Sequence, residues 1–188
     1  MKKTLIIFLF LISISSFSQY KGGTIYFRDN SKISGQIKIA IFNRVKLKKG
    51  DQKLIYNYEK VKKVIFNDST EFHYKKRKNS FLLLEKEISG KLELFSRERA
   101  SAPTANGMGS FSYHGGGYTQ FFISKKSSNF IEKLPQNNRG KRFRKILSKY
   151  GSDCNLFLNK ITDKKDLAFN FDFSIFKIIK YYNENCNQ

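Results

Sequence analysis

The sequence has few of the residues from which catalytic and metal sites are usually built. It contains two histidines, His73 and His114, and two cysteines, Cys154 and Cys186, among 188 residues. These four residues do not follow the spacing of metal-binding motifs, so we expect no metal site. No C-x-x-C pair is present either, which argues against a redox role for the cysteines. His73 lies between two aromatic residues of a predicted strand and is expected to face solvent.

Recognisable catalytic and phosphate-binding motifs are also missing. No serine stands in a G-x-S-x-G elbow, and the glycine-rich stretch 106–117 lacks the G-x-x-x-x-G-K-[ST] order of a phosphate-binding loop. Ser110 and His114 are close in sequence, but nothing visible fixes their geometry. Glycoside hydrolysis needs a pair of placed carboxylates. The candidates in the predicted strands are Glu85, Glu87 and Glu93, but acids on strand surfaces rarely have this role. We therefore expect no catalytic residue, no cofactor and no enzymatic activity; a site assembled from distant strands is the disfavoured alternative.

A long apolar run occurs only at the start of the chain. A positively charged start is followed by apolar residues 5–12, and Ser16 and Ser18 place small residues before Gln19. This order predicts a cleavable secretory signal peptide over residues 1–18, with a buried N-terminal strand or helix as the alternative. A transmembrane helix needs about 20 apolar residues. No later stretch reaches that length, so we expect no transmembrane segment in the mature chain.

The predicted export places the two cysteines in an oxidising compartment, where an even number favours a disulfide. A bond between Cys154 and Cys186 would close a loop of about 33 residues and contribute about 3–4 kcal/mol in the chain-entropy model. The alternatives are two free thiols, or an unpaired Cys186 on a frayed C-terminal tail. We expect an exported protein that is periplasmic, associated with the outer membrane or secreted.

Acidic residues are scarce relative to basic ones. The chain has 36 lysines and arginines against 15 acids, a formal net charge of +21, or about +19 once the two lysines of the leader are removed. Such a charge attracts anionic polymers and membrane surfaces over long range. Because lysine, asparagine, isoleucine and phenylalanine are abundant while proline is scarce and tryptophan absent, an AT-rich genome is an alternative origin of this charge. Nucleic acid is the disfavoured partner, since export separates the protein from it.

From Gly23 to about Lys125 the dominant hydrophobic period is two, interrupted by turn residues such as Asp29-Asn30-Ser31. This pattern predicts short antiparallel strands in a β-meander that curls into a sandwich or a partly open barrel. We assign residues 19–134 to this β-domain. Within it, the glycine-rich segment 100–117 breaks the alternation and predicts a flexible loop.

After Pro135 the hydrophobic period becomes helical. Phe143, Ile146, Leu147 and Tyr150 lie on one face of a predicted helix. The same type of pattern continues and predicts about three short helices over residues 135–188, packed on the sheet, with Asp172 as the cap of the last one. The fold class expected from the whole pattern is therefore α+β.

The first of these predicted helices contains the densest basic segment of the chain. Its polar side would carry a set of cations that could hold an anionic surface: Lys141, Arg142, Arg144, Lys145 and Lys149. The alternative is that these side chains form only the solvated face of a packed helix.

Several short stretches resemble a class of uncharacterised exported proteins of Bacteroidota. They are Ser16-Phe-Ser-Gln19, Gly23-Thr-Ile-Tyr-Phe27 with Asp29-Asn30 and Gly35-Gln-Ile37, Phe143-Arg-Lys-Ile-Leu147, and Asp153-Cys154. The resemblance implies a β-meander followed by short helices, and export. It implies no activity.

Together these features predict an exported, non-enzymatic envelope protein that binds or scaffolds another envelope component. The alternative is an electrostatic binder of anionic glycolipid or of a membrane surface. The first partner would be another envelope protein, and the second would be the anionic surface itself.

Overall fold

A computed structural model describes residues 20–100, 104–106, 110–112, 117–162 and 164–186. The chain forms two compact units, the first ending at Phe72 and the second beginning at His73. The sequence-based division fell after residue 134, between strands and helices, whereas the helices share the second unit with several strands. The predicted signal peptide, residues 1–18, lies outside the described residues.

The first unit contains five antiparallel strands in the order β5-β1-β2-β3-β4. Their bounds are Lys21–Phe27 for β1, Lys32–Ala40 for β2, Arg44–Lys49 for β3, Gln52–Tyr56 for β4 and Val61–Phe66 for β5. A 3₁₀ turn at Ile41–Asn43 joins β2 to β3. Because β1 lies between β2 and β5, these strands do not form a simple meander, and β4 does not pair with β5 to close a barrel.

One face of this sheet forms the core of the first unit. Ile25, Ile37, Val45, Leu47 and Val64 alternate with polar residues along their strands and are fully buried. Alternation places their side chains on a single face. The residues between them therefore point to the opposite face, which is considered below as a candidate site.

The second unit has five strands in the order β6-β7-β8-β11-β12 and a separate two-stranded hairpin of β9 and β10. Their bounds are Glu71–Arg77 for β6, Ser80–Ile88 for β7, Leu92–Ala100 for β8, Thr104–Asn106 for β9, Ser110–Ser112 for β10, Gly117–Lys125 for β11 and Glu132–Lys133 for β12. The hairpin lies within the segment 100–117 for which the sequence predicted only a loop. The rest of that segment's interior, including His114, lies outside the described residues.

Four helices follow, where about three were predicted, and the α+β class is confirmed. Their bounds are Lys141–Tyr150 for α1, Asn155–Ile161 for α2, Lys164–Phe171 for α3 and Ile175–Asn185 for α4. The helix that sequence analysis missed, α3, buries Leu167 and Phe171 but leaves Phe169 91% exposed, so its apolar residues do not mark one face. Ser174 caps α4 by accepting a hydrogen bond from the backbone of Lys177, which corrects the assignment of Asp172 to that role.

The helices cover one face of the strands of the second unit. Leu94 and Ile123 from the strands and Phe143, Phe157 and Tyr182 from the helices belong to one buried cluster and are fully buried. The rings of Phe157 and Tyr182 meet edge to face, with centroids 5.1 Å apart. Burial of aromatic side chains of this size is a main source of folding free energy.

A pair of hydrogen bonds fixes α4 to the start of β8. The side-chain amide of Asn183 donates to the carbonyl of Leu92 and its oxygen accepts from the Leu92 N–H, both at 2.9 Å. Near this point the carboxylate of Asp153 accepts from the Tyr182 hydroxyl at 2.8 Å and pairs with Lys91 at 3.1 Å. Partial burial of Asp153 by itself raises the pKa of its carboxyl group. The hydrogen bonds with Tyr182 and Lys91 outweigh that effect, so the pKa of Asp153 lies below its ordinary value.

The opposite face of the strands of the second unit contains a buried cluster of charges. Glu93 is 7% exposed and pairs with Lys75 at 3.0 Å and with Lys86 at 3.3 Å. Lys75 also donates to the Ser128 carbonyl at 2.7 Å and lies over the Phe95 ring. Glu93 is therefore not one of the strand-surface acids considered above.

His73 is on the same face as Lys75. Its ring is half-buried and lies against the buried ring of Phe95, with centroids 5.9 Å apart. The expectation that His73 faces solvent was wrong, because this face of the strand is covered as well.

Cys154 and Cys186 form a disulfide across 32 residues. It joins the residue before α2 to the residue after α4, and both cysteines are buried in the helical core. We predict that the double variant Cys154→Ser, Cys186→Ser loses about 3–4 kcal/mol of unfolding free energy, because its unfolded chain is no longer restrained. Denaturant titration measures this loss.

Reductant provides the control for the disulfide prediction. It should lower the unfolding midpoint of the natural protein toward that of the double variant and leave the variant unchanged. Equal midpoints for the oxidised natural protein and the double variant would show that the bond contributes nothing.

The charge cluster generates a second stability prediction. Glu93→Gln should lower the free energy of unfolding by about 3 kcal/mol, because the buried ammonium of Lys75 would lose its carboxylate partner. Glu87→Gln, an exposed acid on β7, is the matched control and should change it by less than about 0.5 kcal/mol. Similar losses in the two variants, measured by chemical denaturation, would contradict this role of Glu93.

Candidate functional site

The basic helix predicted from sequence is α1, and the structure shows how its two sides are used. Phe143, Ile146 and Leu147 are buried in the core of the second unit. Of the five candidate cations, Lys141, Arg142, Lys145 and Lys149 are exposed and Arg144 is half-buried. Because its apolar side is already packed against protein, α1 can meet an anionic surface only through its cations.

Two of the five candidates have partners within the protein. Lys149 donates to the carboxylate of Glu132 at 2.7 Å. That hydrogen bond and the charge of Glu132 raise the pKa of Lys149 above its ordinary value. Arg144 donates to the carbonyl of Arg139 at 3.3 Å. The structure therefore leaves Lys141, Arg142 and Lys145 as the cations of α1 whose side chains have neither an ion pair nor a hydrogen bond to a described residue.

A second basic surface lies on the first unit, on the face of its sheet opposite the buried core. We call it the cationic sheet face. Strand register places seven basic residues on it: Lys32, Lys38, Arg44, Lys46, Lys48, Lys53 and Lys63. The described strands β1 to β5 contribute no acidic side chain to this face, and none of the seven cations pairs with a described carboxylate.

The pairing of the strands brings like charges directly opposite one another. Lys38 is paired with Lys46, and Lys48 is paired with Lys53. Side chains at paired positions are about 4.5–5.5 Å apart at Cβ, and like charges there destabilise a sheet. The fold therefore tolerates an electrostatic cost on this face that a glutamate at either partner position would relieve.

Two non-basic side chains add contact chemistry to the cationic sheet face. Ile55, opposite Lys46, is 56% exposed. The Tyr26 ring lies 5.0 Å from the ammonium of Lys63, within cation–π range. The face thus combines positive charge with an exposed aliphatic and an aromatic group, as surfaces that bind amphiphilic anions do.

Sequence analysis identified the alternation in each of these strands but did not find the face. Lysines at every second position were read as solvent-facing residues of separate strands. The missing information was the register of β2, β3 and β4, which is set by pairing between strands and not by the alternation within one strand. A repeated lysine at i and i+2 without an intervening acid, as at Lys46 and Lys48, was the available signal.

Three clefts among the described residues are lined by charged side chains and bear on a possible ligand site. One of about 430 Å³ in the first unit is lined by Arg28 and Lys60 together with Asp29 and Glu59, so its charges balance. Another, of about 380 Å³, lies beside Lys91 and Lys126 in the second unit. Lys91 is already engaged, since it pairs with Asp153 and donates to the carbonyl of Cys186 at 2.9 Å.

The third cleft, of about 320 Å³, lies beside the start of α1. We call it the arginine cleft. It is lined by Arg77, Lys133, Leu134, Pro135, Gln136 and Arg142. Its lining includes three cations and no acid, whereas the charges of the first cleft balance and Lys91 of the second cleft is already paired with Asp153.

Within the described ranges, no group of three histidine, cysteine or acidic side chains is placed to hold a metal ion. None of the helices there is both long enough and apolar enough to cross a membrane. Ser110 has a described backbone, whereas His114 does not lie in the described part of the chain, so the structure gives no geometry for this pair.

Comparison with known proteins identifies no relative. The sequence matches no protein-family model, no curated protein and no solved structure at a significant level. The geometry and charge of the sites described above are therefore the basis on which a function is proposed.

The like-charge pairs make a testable prediction about the cationic sheet face. Lys46→Glu places an opposite charge across from Lys38 and should raise the free energy of unfolding by roughly 0.5 kcal/mol, within the usual range for cross-strand pairs. Lys46→Gln is the control and should give a smaller gain, because it removes repulsion without adding attraction. Thermal denaturation at low salt measures both; a loss of stability in Lys46→Glu would contradict the repulsion.

Proposed function

We propose that this protein is an exported, non-enzymatic component of a cell envelope that attaches by charge to an anionic partner. The partner is an anionic glycolipid or an anionic membrane surface. The cationic sheet face carries the proposal, because the described strands β1 to β5 present seven basic residues and no acid on this face.

The shape of this array favours a surface as the partner. Neighbouring strands are about 4.8 Å apart and alternate residues of one strand about 6.7 Å apart, so the cations form a two-dimensional grid. Across strands, the grid contains the pair of Lys38 with Lys46 and the pair of Lys48 with Lys53. Along β3 it contains Arg44, Lys46 and Lys48. A grid of this kind can meet many anionic groups of a surface at once.

The energetics of the proposal depend on the number of cations. A basic residue close to an anionic leaflet contributes about 1 kcal/mol, and the effect decays within a Debye length. The exposed Ile55 adds a smaller apolar contact. The expected attachment is therefore strong at low ionic strength and reversible by salt.

Two observations support export, the other part of the proposal. Residues 1–18 have the order of charges, apolar residues and small residues found in cleavable leaders. The Cys154–Cys186 disulfide fits an oxidising compartment outside the cytoplasm. N-terminal sequencing of the protein recovered from its native host tests this directly, with Gln19 as the expected first residue.

The surface proposal is tested with vesicles. The triple variant Lys38→Gln, Lys46→Gln, Lys48→Gln should bind vesicles of an anionic phospholipid roughly one hundredfold more weakly than the natural protein in a sedimentation assay. Neutral phosphatidylcholine vesicles should retain neither protein. Raising salt from about 0.1 M to about 1 M should release the natural protein, since it shortens the Debye length from about 10 Å to about 3 Å.

A matched control separates this face from net charge in general. Lys49→Gln, Lys164→Gln, Lys177→Gln removes the same charge from exposed lysines that lie off the cationic sheet face and off α1. This variant should bind close to the natural protein. An equal loss in both triple variants would contradict the assignment to the sheet face, and retention through high salt would favour a specific protein partner instead.

The basic helix is a second candidate for the same function. Lys141, Arg142 and Lys145 are exposed and have no ion pair to a described residue. A third variant, Lys141→Gln, Lys145→Gln, measures its contribution in the same assay. A larger loss per removed charge here than in the sheet variant would make α1 the principal contact.

A further inference from the structure

We propose that the arginine cleft is a binding site for a phosphoryl group, with the charge and shape of a phosphate monoester. This inference does not rest on the proposed function, since it concerns a discrete ligand and none of the residues of the cationic sheet face.

The cations of the arginine cleft come from three different elements of the second unit. Arg77 is the last residue of β6, Lys133 is in β12, and Arg142 is the second residue of α1. All three line one cleft, although Arg77 is 56 residues before Lys133 in the sequence. Convergence of separate elements on one cavity is typical of a binding site, whereas a run of charges along one helix is usually only a solvated face.

None of the three cations has a counter-charge within the described chain. Arg77, Lys133 and Arg142 form no ion pair or side-chain hydrogen bond with a described residue. Arg77 and Lys133 are also half-buried, so part of their hydration is lost. Partly desolvated cations that are close to one another gain free energy when an anion is added between them.

The nearest acid in the sequence is directed away from the cleft. Glu132 precedes Lys133 on β12, and successive side chains of a strand point to opposite faces. Glu132 pairs with Ile123 of β11, on the face covered by helices, and its carboxylate is held by Lys149 at 2.7 Å. Glu132 is the acid nearest in sequence to Lys133, but it does not neutralise the positive charge of the cleft.

The backbone beside the cleft is held by hydrogen bonds, so the elements that carry the cations are in place before a ligand arrives. The Leu134 N–H donates to the Phe121 carbonyl at 3.0 Å, and the amide of buried Gln120 donates to the Leu134 carbonyl at 2.8 Å. Arg142 is fixed by α1, whose apolar side is packed in the core. Positioned cations bind more tightly than mobile ones because less side-chain entropy is lost.

Phosphate is the anion that fits this set of groups best. Two arginines can each donate a fork of two N–H groups to phosphate oxygens, and a lysine adds a point charge. The first turn of α1 has no acidic residue and no side-chain cap, so its dipole adds positive potential of the same sign. A monoester dianion neutralises more of this charge than a carboxylate or a phosphodiester can.

The test measures binding of inorganic phosphate to the purified protein by NMR chemical-shift titration. We expect saturable binding at one site, with shifts centred on Arg77, Lys133 and the start of α1. Arg77→Gln and Arg142→Gln should each weaken binding about tenfold or more, since each removes charge-assisted hydrogen bonds. Arg142→Lys should recover only part of the affinity, because it keeps the charge but loses the fork.

Lys145→Gln is the matched control. It removes one exposed cation from the same helix, but Lys145 does not line the cleft. Its affinity for phosphate should stay within about twofold of the natural protein, as screened exposed charges contribute little. Equal weakening by Lys145→Gln and Arg142→Gln, or no saturable binding by the natural protein, would overturn the proposal.

The pH dependence separates the monoester from a general attraction to anions. Phosphate monoesters gain their second charge around pH 6, so their binding should strengthen between about pH 5 and about pH 7. Sulfate keeps its two charges over that range and should bind with no such change. Identical pH profiles for a sugar phosphate and for sulfate would contradict recognition of the dianionic monoester.

Two sources of the phosphoryl group are distinguished by competition. Vesicles with a phosphomonoester headgroup displace inorganic phosphate if the group is presented by a lipid, and soluble sugar phosphates do so if the ligand is free. The sheet variant Lys38→Gln, Lys46→Gln, Lys48→Gln should keep its affinity for inorganic phosphate. Loss of phosphate binding in the sheet variant would overturn the site, whereas failure of the surface proposal alone would leave it standing.

Discussion

The pairing of β8 with β11 is the contact on which the rest of the second unit depends. It extends over nine residue pairs, from Leu92 with Lys125 to Ala100 with Gly117. One face of this pair receives the helices, and the other holds the buried charges around Glu93. The placement of α1 follows from it, because the apolar side of α1 packs on this face and its cations must then point outward.

The same pairing sets the position of the arginine cleft. β12 pairs with β11 through Phe122 with Lys133, and α1 begins a few residues after β12. Lys133 and Arg142 are therefore brought near each other by the sheet and the short connection between them. The isolated bridge of Lys76 with Phe130 joins this segment to β6, which places Arg77 at the same end.

Several acids of the second unit are used in internal ion pairs. Glu93 pairs with Lys75 and Lys86, Glu132 with Lys149, and Asp153 with Lys91 and Lys125. These pairs hold elements together and leave other cations without partners. A genomic bias toward lysine accounts for the number of cations, but it does not explain why opposed pairs such as Lys38 with Lys46 are retained. The anionic partner proposed above would explain both.

The sequence predicted the features that depend on local pattern. Strand alternation, the turns, the helical period around Phe143 and Ile146, and the α+β class all follow from residues close in the chain. The missed features depend on pairing between distant segments. They include the place of β1 between β2 and β5, the burial of Glu93 and His73, and both the cationic sheet face and the arginine cleft.

The two proposed sites act over different distances, which explains how a protein with so much diffuse charge can still be selective. The cationic sheet face acts through a field that extends for about a Debye length and attracts any anionic surface. The arginine cleft requires contact, because the forks of Arg77 and Arg142 discriminate by geometry as well as by charge. Long-range attraction raises the rate of encounter but adds little specificity. Recognition by contact adds specificity but has little effect on the rate of encounter. A chain with only the first property would bind every polyanion alike, so the cleft is the part of the molecule from which selectivity among anionic partners would arise.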